Sequence, residues 1–345
     1  MTGINVAPPF EYELRELAEI PSLGETRRAA LGGAVRGVLP GGVRGGVRGG
    51  VRGGVRGSGG GGRPGRSDAA VLPVLPVLPQ FALTGPPRSP DAANASAYAQ
   101  LIGVPATDEL PAGYPHILGF PLSMALLTHE DFPLPALGMV HIANRIRQVA
   151  PTLFNESLVF TTWASDLRPH RRGALVDVHL AATAAGGDAS GDGVVWHGVS
   201  TYLGKGIEVP GEDDEVRADW DHGPQEAEGQ HVWTLPQSIG RRYAEISGDA
   251  NPIHTSRIGA RIFGFPKPIA HGMYTAARAL GEVPAPADGA IDWSVRFGRP
   301  VLLPARAGLE FRNEGGVVEY ALVRRPRPGD EGAPRVHLSG SVGPL

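Results

Sequence analysis

"YAEISGDANPIHTSRIGA", residues 243–260, places an acid, an amide, a proline and a histidine within the six positions 249–254. The stretch before it, with Ile239, Tyr243 and Ile246 at helical spacing and Ser238 as a capping residue, predicts a helix that stops at Ser247-Gly248. "DANP" then predicts a turn, because Asp and Asn bond their own backbone and Pro252 bars helix at Asn251. Asp249 therefore stands just past a helix end, and His254 beyond a rigid turn that can fold back towards it. On these residues alone, two readings stay open: an Asx turn followed by a surface histidine, or an acid–base pair.

The surrounding chain has 345 residues, which suggests two domains, and 41% of them are apolar, enough for a substantial core. A formal net charge of −3 gives no global attraction to nucleic acid or to a membrane surface. The absence of cysteine excludes disulfides, thiolate catalysis and cysteine-ligated zinc. The opening "MTGINVAPPFEYELRELAEI" has no basic start followed by an apolar stretch, so it does not read as a secretory signal. No apolar run reaches the ~18–20 residues that span a bilayer. A soluble, cytoplasmic protein is expected.

Composition changes along the chain. Residues 1–94 read as a variable N-terminal region in which "YELRELAEI" is a short helical candidate. Residues 41–56 repeat one tetrapeptide, "GGVRGGVRGGVRGGVR", and such glycine density makes ordering costly while supplying little to bury. Residues 32–68 are expected to be disordered. Arg44, Arg48, Arg52 and Arg56 have no interleaved aromatic residue, so no nucleic-acid partner is expected. "VLPVLPVLP", residues 71–79, has proline at every third position and reads as an extended lead-in.

The remainder reads as folded twice. Residues 95–207 and 230–345 each run from an apolar helical stretch into several strands, separated by an acidic, apolar-poor linker at 208–229. "ALVDVHLAAT" alternates as a half-buried strand does, with Asp177 and His179 between apolar neighbours. In the first half, the apolar helical stretch around Leu118–Leu126 is expected to be broken by its prolines. Two pieces of punctuation recur: "YPHILGFPLSMALL" parallels "KPIAHGMYTAARAL", and "LRPHRRGALVDVHL" parallels "FGRPVLLPARAGLEF". These point to a divergent internal duplication with an α+β arrangement, each sheet burying one face on its helix.

Tyr243, Ser247, Gly248, Asp249, Asn251, Pro252, Ile253, His254 and Ala260 stand where the R-specific enoyl-CoA hydratases, or MaoC-like dehydratases, carry their signature, and the chain resembles that family. "PIAHGMYTAARAL" matches its His-Gly helix entry, and "SVRFGRPVLLPA" matches its third landmark apart from one inserted residue and an Ala in place of Gly. The resemblance covers residues 231 to about 325. It implies two hot-dog repeats, each a long helix wrapped by a curved antiparallel sheet, of which only the second is catalytic. The first has no G-D-x-N-P-x-H and is expected to shape the acyl pocket.

The implied reaction is the reversible hydration of trans-2-enoyl thioesters, the reverse being dehydration of (3R)-hydroxyacyl thioesters in fatty-acid metabolism. It needs an activated water, a proton at C2 and stabilisation of charge on the thioester oxygen. Asp249 and His254 jointly would serve the first two, with Asn251 orienting the histidine or the water. The N–H of Gly272, at a helix N-terminus, would serve the third, and His271 is expected to pack structurally. Arg257, Arg261, Lys267, Arg296 and Arg299 are candidates for the phosphates of coenzyme A or of a carrier-protein arm. His141, His170, His179 and His197 are expected in core or surface roles. No phosphate loop, dinucleotide fingerprint or zinc-protease motif is present, so neither a cofactor nor a metal is expected. A non-catalytic acyl-binding subunit and a thioesterase are the alternatives; a homodimer is one assembly open to the chain.

Overall fold

The structure, a computed structural model, describes residues 4, 6–9, 11–38, 75–185, 193–213, 224, 227–286, 288–325 and 334–345. The chain begins with strand β1 (Glu13–Glu16) and helix α1 (Leu23–Val38). A first series comes next: β2 (Phe81–Thr84), α2 (Ala92–Ile102), α3 (Tyr114–Leu127), β3 (Val140–Gln148), β4 (Leu158–His170), β5 (Gly173–Ala184) and β6 (Val194–Lys205). The second series is β7 (Gly229–Leu235), α4 (Ile239–Ser247), α5 (Pro252–Thr255), α6 (Arg257–Ile262), α7 (Gly272–Glu282), β8 (Ile291–Phe297), β9 (Ala305–Glu314), β10 (Val317–Arg324) and β11 (Arg335–Pro344).

All the strands join one sheet in the order β1-β2-β4-β5-β6-β3-β8-β11-β10-β9-β7. From β2 to β7 that order reads the same from either end once β2, β3, β4, β5 and β6 are equated with β7, β8, β9, β10 and β11. The duplication is therefore a property of the topology: two hot-dog repeats welded edge to edge by antiparallel pairing of β3 with β8, from Ala143↔Arg296 to Gln148↔Ile291. One hydrophobic core runs through both, from Leu122, Leu126 and Trp196 to Trp233, Tyr274 and Trp293. On β5, Val176, Val178, Leu180 and Ala182 face that core, and Asp177 and His179 face the other side. Among the described residues no helix is long and apolar enough to cross a membrane.

The structure corrects several expectations. α3 is continuous through Pro121, not broken at its prolines. An internal proline costs a helix about 3 kcal/mol, but Ile117, Leu118, Leu122, Leu126 and Leu127 are all buried along α3, and their burial outweighs that cost. Part of "YELRELAEI" is strand β1, paired parallel with β2 from Glu13↔Phe81 to Glu16↔Thr84, because an open sheet edge overrides helix propensity. The first repeat begins before residue 95: β2 sits beside β4 in the sheet, and α2 starts at Ala92, where the Asp91 side chain accepts the Asn94 N–H at 2.8 Å. The second parallel of punctuation fails, since it matches the end of β4 and β5 to the end of β8 and β9, whereas the topology equates β4 with β9 and β5 with β10. Of the segment expected to be disordered, residues 32–38 end α1, and residues 39–68 lie outside the described residues, as do 71–74 of the proline-rich run and 214–223 and 225–226 of the acidic linker.

Candidate active site

α4 ends at Gly248, in the left-handed conformation at φ +75, and its N–H bonds back to Ala244. The chain then turns on its own side chains. Ser247 Oγ accepts the Asp249 N–H at 3.2 Å, Asp249 Oδ1 accepts the Asn251 N–H at 3.2 Å, and Asn251 Oδ1 accepts the Ile253 N–H at 3.2 Å. These links make Asn251 the N-cap of α5, with Pro252 at its first position, and they deliver His254 back towards Asp249. The return is close. A β-carbon on Gly240 of α4 would lie 2.2 Å from the His254 carbonyl oxygen, so only glycine lets the two segments meet there.

The segment before α7 completes the site. His254 Nδ1 stands 2.9 Å from the carbonyl oxygen of Ile269, and His271 Nε2 stands 2.8 Å from that of Asp249. A carbonyl only accepts, so each of those nitrogens carries the proton. His254 Nε2 is left with a free lone pair. The rings of His254 and His271 stack at 3.7 Å between centroids, and Tyr243 closes on His271 at 4.8 Å. His271 is buried as a packing residue, and it packs inside this cluster, bonded to the Asp249 backbone; the His-Gly pair at the helix entry was its signal in the sequence.

Asp249 presents a side chain 34% exposed beside a His271 ring only 3% exposed. One carboxylate oxygen of Asp249 and one nitrogen of each of His254 and His271 lie within 4.8 Å of one another. A single water bonded to two acceptors at ordinary length holds them about 4.6 Å apart, so groups gathered within this limit are in reach of one shared water. Metal binding fits poorly. The two rings are stacked with planes only 26° apart, so an ion about 2.1 Å from a nitrogen of each cannot lie in both ring planes.

Burial alone would push the Asp249 carboxyl up, but the neighbouring His271 and His254 and the Asn251 N–H bring it below its ordinary value, and it is ionised at neutral pH. Burial pushes His254 down, against the opposing effect of Asp249 and the Ile269 carbonyl. His271 falls to about 3, again through burial. The resting site therefore holds a carboxylate beside neutral imidazoles.

Gly272 is the first residue of α7, where N–H groups have no partner inside the helix. A methyl group there would come within 2.9 Å of the Phe297 ring, so its bareness also serves packing. Of the basic candidates, Arg257, Arg261 and Lys267 are exposed on α6 and the loop beyond it. Arg299 opens a loop whose Val301 accepts the Ala270 N–H and whose Leu303 donates to Pro268, which brings it alongside the entry to α7. Arg296 is not brought to the site. Strand alternation sets it opposite Ala143, on the sheet face away from its neighbours Val295 and Phe297, which pack on the core.

The first repeat contributes residues that the sequence gave no role in the site, His141 among them, which was expected in a core or surface position. His116 on α3, His141 on β3 and Tyr202 on β6 all lie close enough to Asp249 to feel its charge. His141 stacks on Tyr202 at 4.8 Å and meets Phe297 edge-on at 5.2 Å. By contrast, His179 and His197 keep structural roles, bonded to each other at 3.1 Å and stacked on Trp163. His170 accepts the Arg172 N–H in the β4–β5 turn.

Comparison with known proteins bears on the family. Residues 224–322 match the family described as "MaoC like domain". The chain is 39% identical over 247 residues to 3-hydroxyacyl-thioester dehydratase X of Mycobacterium tuberculosis, covering 71% of this chain and 85% of that protein. The crystal structure of HtdX from the same organism superposes with a TM-score of 0.62 at 34% identity, covering 76% of this chain and all of that one (100%). A MaoC-like dehydratase from Phytophthora capsici superposes at 0.60 with 18% identity over 76% of this chain and 95% of its own, a likeness of fold. With the signature loop and the doubled topology, these matches establish that the chain belongs to the MaoC-like dehydratase family.

Proposed function

We propose that the chain catalyses the reversible hydration of trans-2-enoyl thioesters to (3R)-hydroxyacyl thioesters in fatty-acid metabolism, with Asp249 and His254 as the acid–base pair. The observation that carries this reading is the pair itself: one loop brings an ionised carboxylate and a neutral imidazole, its Nδ1 engaged by the Ile269 carbonyl, to within 4.8 Å of each other at their nearest ligand atoms. Water held between them attacks C3. The proton it loses is taken by one of the pair and returned to C2, so atoms balance with no other reactant. Asn251 fixes the turn that sets the two apart, and the Gly272 N–H is positioned to donate to the thioester oxygen as charge develops there. His271, bonded to the Asp249 carbonyl, holds the acid's backbone in place.

Arg257, Lys267 and Arg299 supply the positive charge that a phosphate-bearing thiol carrier needs. The first repeat, residues 95–207 extended back to β2, walls the acyl pocket without an acid–base pair of its own. A cytoplasmic location and a homodimer go with this reading and are tested by cell fractionation and by sedimentation. The deciding experiment follows the enoyl-thioester absorbance with crotonyl-CoA for wild type, Asp249→Asn and His254→Ala, with product chirality determined. Turnover to the (3R)-hydroxyacyl product, lowered at least a hundredfold in both variants, is expected. Release of free thiol would move the reading to a thioesterase, and inert wild type to a binding subunit.

A further inference from the structure

The chain leaves the site at His254 and returns to it at Ile269, and the excursion between them carries an uncovered surface. Its neck is tied twice: the Ile253 carbonyl accepts the Ile269 N–H at 3.1 Å, and His254 Nδ1 donates to the Ile269 carbonyl at 2.9 Å. Helix α6 lies within the excursion. Gly259 and Ala260 are buried, and a β-carbon on Gly259 would stand 2.4 Å from that of Pro252, so this side of α6 lies hard against α5. The exposed side holds two rows. Ile258 and Ile262, one turn apart, are 74% and 75% exposed, more than any other large hydrophobic residue among those described, and the exposed Phe263 adjoins them. Arg257 and Arg261 form the second row, with Lys267 on the return to the site.

Nothing inside the molecule answers either row. Single apolar side chains on a surface are ordinary, but three together beside cations mark a contact. Between Asp249 and Glu282 the sequence has no acidic residue, although the whole chain carries a net charge of −3. Among the described residues, Arg257, Arg261 and Lys267 have no ion-pair partner. The surface of α6 thus has the make-up of an interface, an apolar centre with a charged margin.

Resting on the hydratase reading above, the occupant can be chosen by chemistry. The phosphates of free coenzyme A would satisfy the cations but leave Ile258 and Ile262 in water. A second copy in a two-fold contact would lay the patch on itself, setting Arg257, Arg261 and Lys267 against their own counterparts. An acidic protein helix with apolar residues among its carboxylates answers both rows at once. We infer that α6 is the docking surface for such a helix on an acyl carrier protein, which thereby presents its thioester beside His254 and Asp249. Coenzyme A thioesters, which lack the helix, are then the poorer substrates.

The test compares crotonyl-CoA with the crotonyl thioester of a type II acyl carrier protein. Wild type is expected to prefer the carrier-protein thioester in kcat/KM by about tenfold, the scale of one buried isoleucine side chain, and to do so through KM. Ile258→Ser with Ile262→Ser should remove the preference and leave the kinetics with crotonyl-CoA unchanged. Wild type should also lose the preference when the carboxylates of the carrier helix are replaced by amides, a reading that needs no variant of this chain to fold. A wild type without preference, or a preference that survives either change, overturns the inference. So does a double variant that only splits a dimer in sedimentation, or only releases the protein from anionic phosphatidylglycerol vesicles, for the face then belongs to a second copy or to a membrane. Turnover and docking are read apart. Wild type inert towards both thioesters would strike the hydratase reading, while calorimetric binding of the saturated butyryl carrier protein, weakened about tenfold in the double variant, would uphold the docking surface, and its absence would overturn it.

Discussion

Helices α2 and α4 hold the same place in the two repeats, pack on each other, and end alike, at Gly103 with φ +84 and at Gly248 with φ +75. Beyond the glycine the two diverge. In the second repeat the next residue is Asp249 and the sixth is His254; in the first they are Val104 and Glu109. Val104 lies against Gly281 of α7, and Glu109 is exposed, with its backbone bridged to Leu153. One scaffold and one helix ending thus support either a packed loop or the loop proposed as an acid–base site, and the difference lies in a handful of side chains after the cap.

The contrast can be broken most severely at its polar end. Asp249→Asn and His254→Ala should each lower kcat/KM by about 10²–10⁴-fold, the usual worth of a positioned acid–base group. The opposite exchange sharpens the same point. Val104→Asp should give no activity to an Asp249→Asn background and should cost about 1–3 kcal/mol of stability in a denaturant titration, for a charge placed in an apolar contact. Gly272→Ala should cost about 1–3 kcal/mol and slow turnover by crowding Phe297, and Phe297→Leu should restore part of both.

Acid separates the repeats differently. Burial holds His116 at about 4, His141 at about 3, His179 at about 4 and His197 at about 3, all in the first repeat, with His271 at about 3 in the second. A histidine whose folded pKa lies below its unfolded value of 6.5 binds protons more readily when unfolded. Its stabilising contribution is complete above pH 6.5 and is lost as pH falls towards the folded value. At pH 5 each such group costs on the order of 1–2 kcal/mol, so denaturant midpoints should drop between pH 7 and pH 5, chiefly through the repeat that lacks the acid–base pair. The smallest expected effect is at the mouth. Arg257→Ala with Lys267→Ala should raise KM for a coenzyme A thioester several-fold and leave kcat alone.

Much of this is legible in local patterning. The signature loop, the αL ending of α4, the alternation of β5 and the doubling itself rest on neighbouring residues, and each appears where the sequence places it. The features that escaped depend on partners far along the chain. Pro121 lies inside a helix because burial outweighs its local cost. Arg296 stands near the motif in sequence, yet its parity on β8 sends it to the other face. His141 was read only as a core or surface residue, since the β-bulge at Ile142 that turns it towards Tyr202 is defined only by the partner strand, and residues 13–16 pair only because β2 offers an edge.

The antiparallel seam between β3 and β8 has one more consequence. Two separate hot-dog subunits joined across such a seam would be related by strict symmetry, and every substitution would act in both at once. Joining them in one chain removes that coupling. A change in the first repeat then acts once, so the loop after α2 and the β-bulge of β3 differ from their counterparts without imposing the same change on the loop after α4. The two halves of the seam can therefore face one pocket with unlike surfaces, which no self-complementary pair could do.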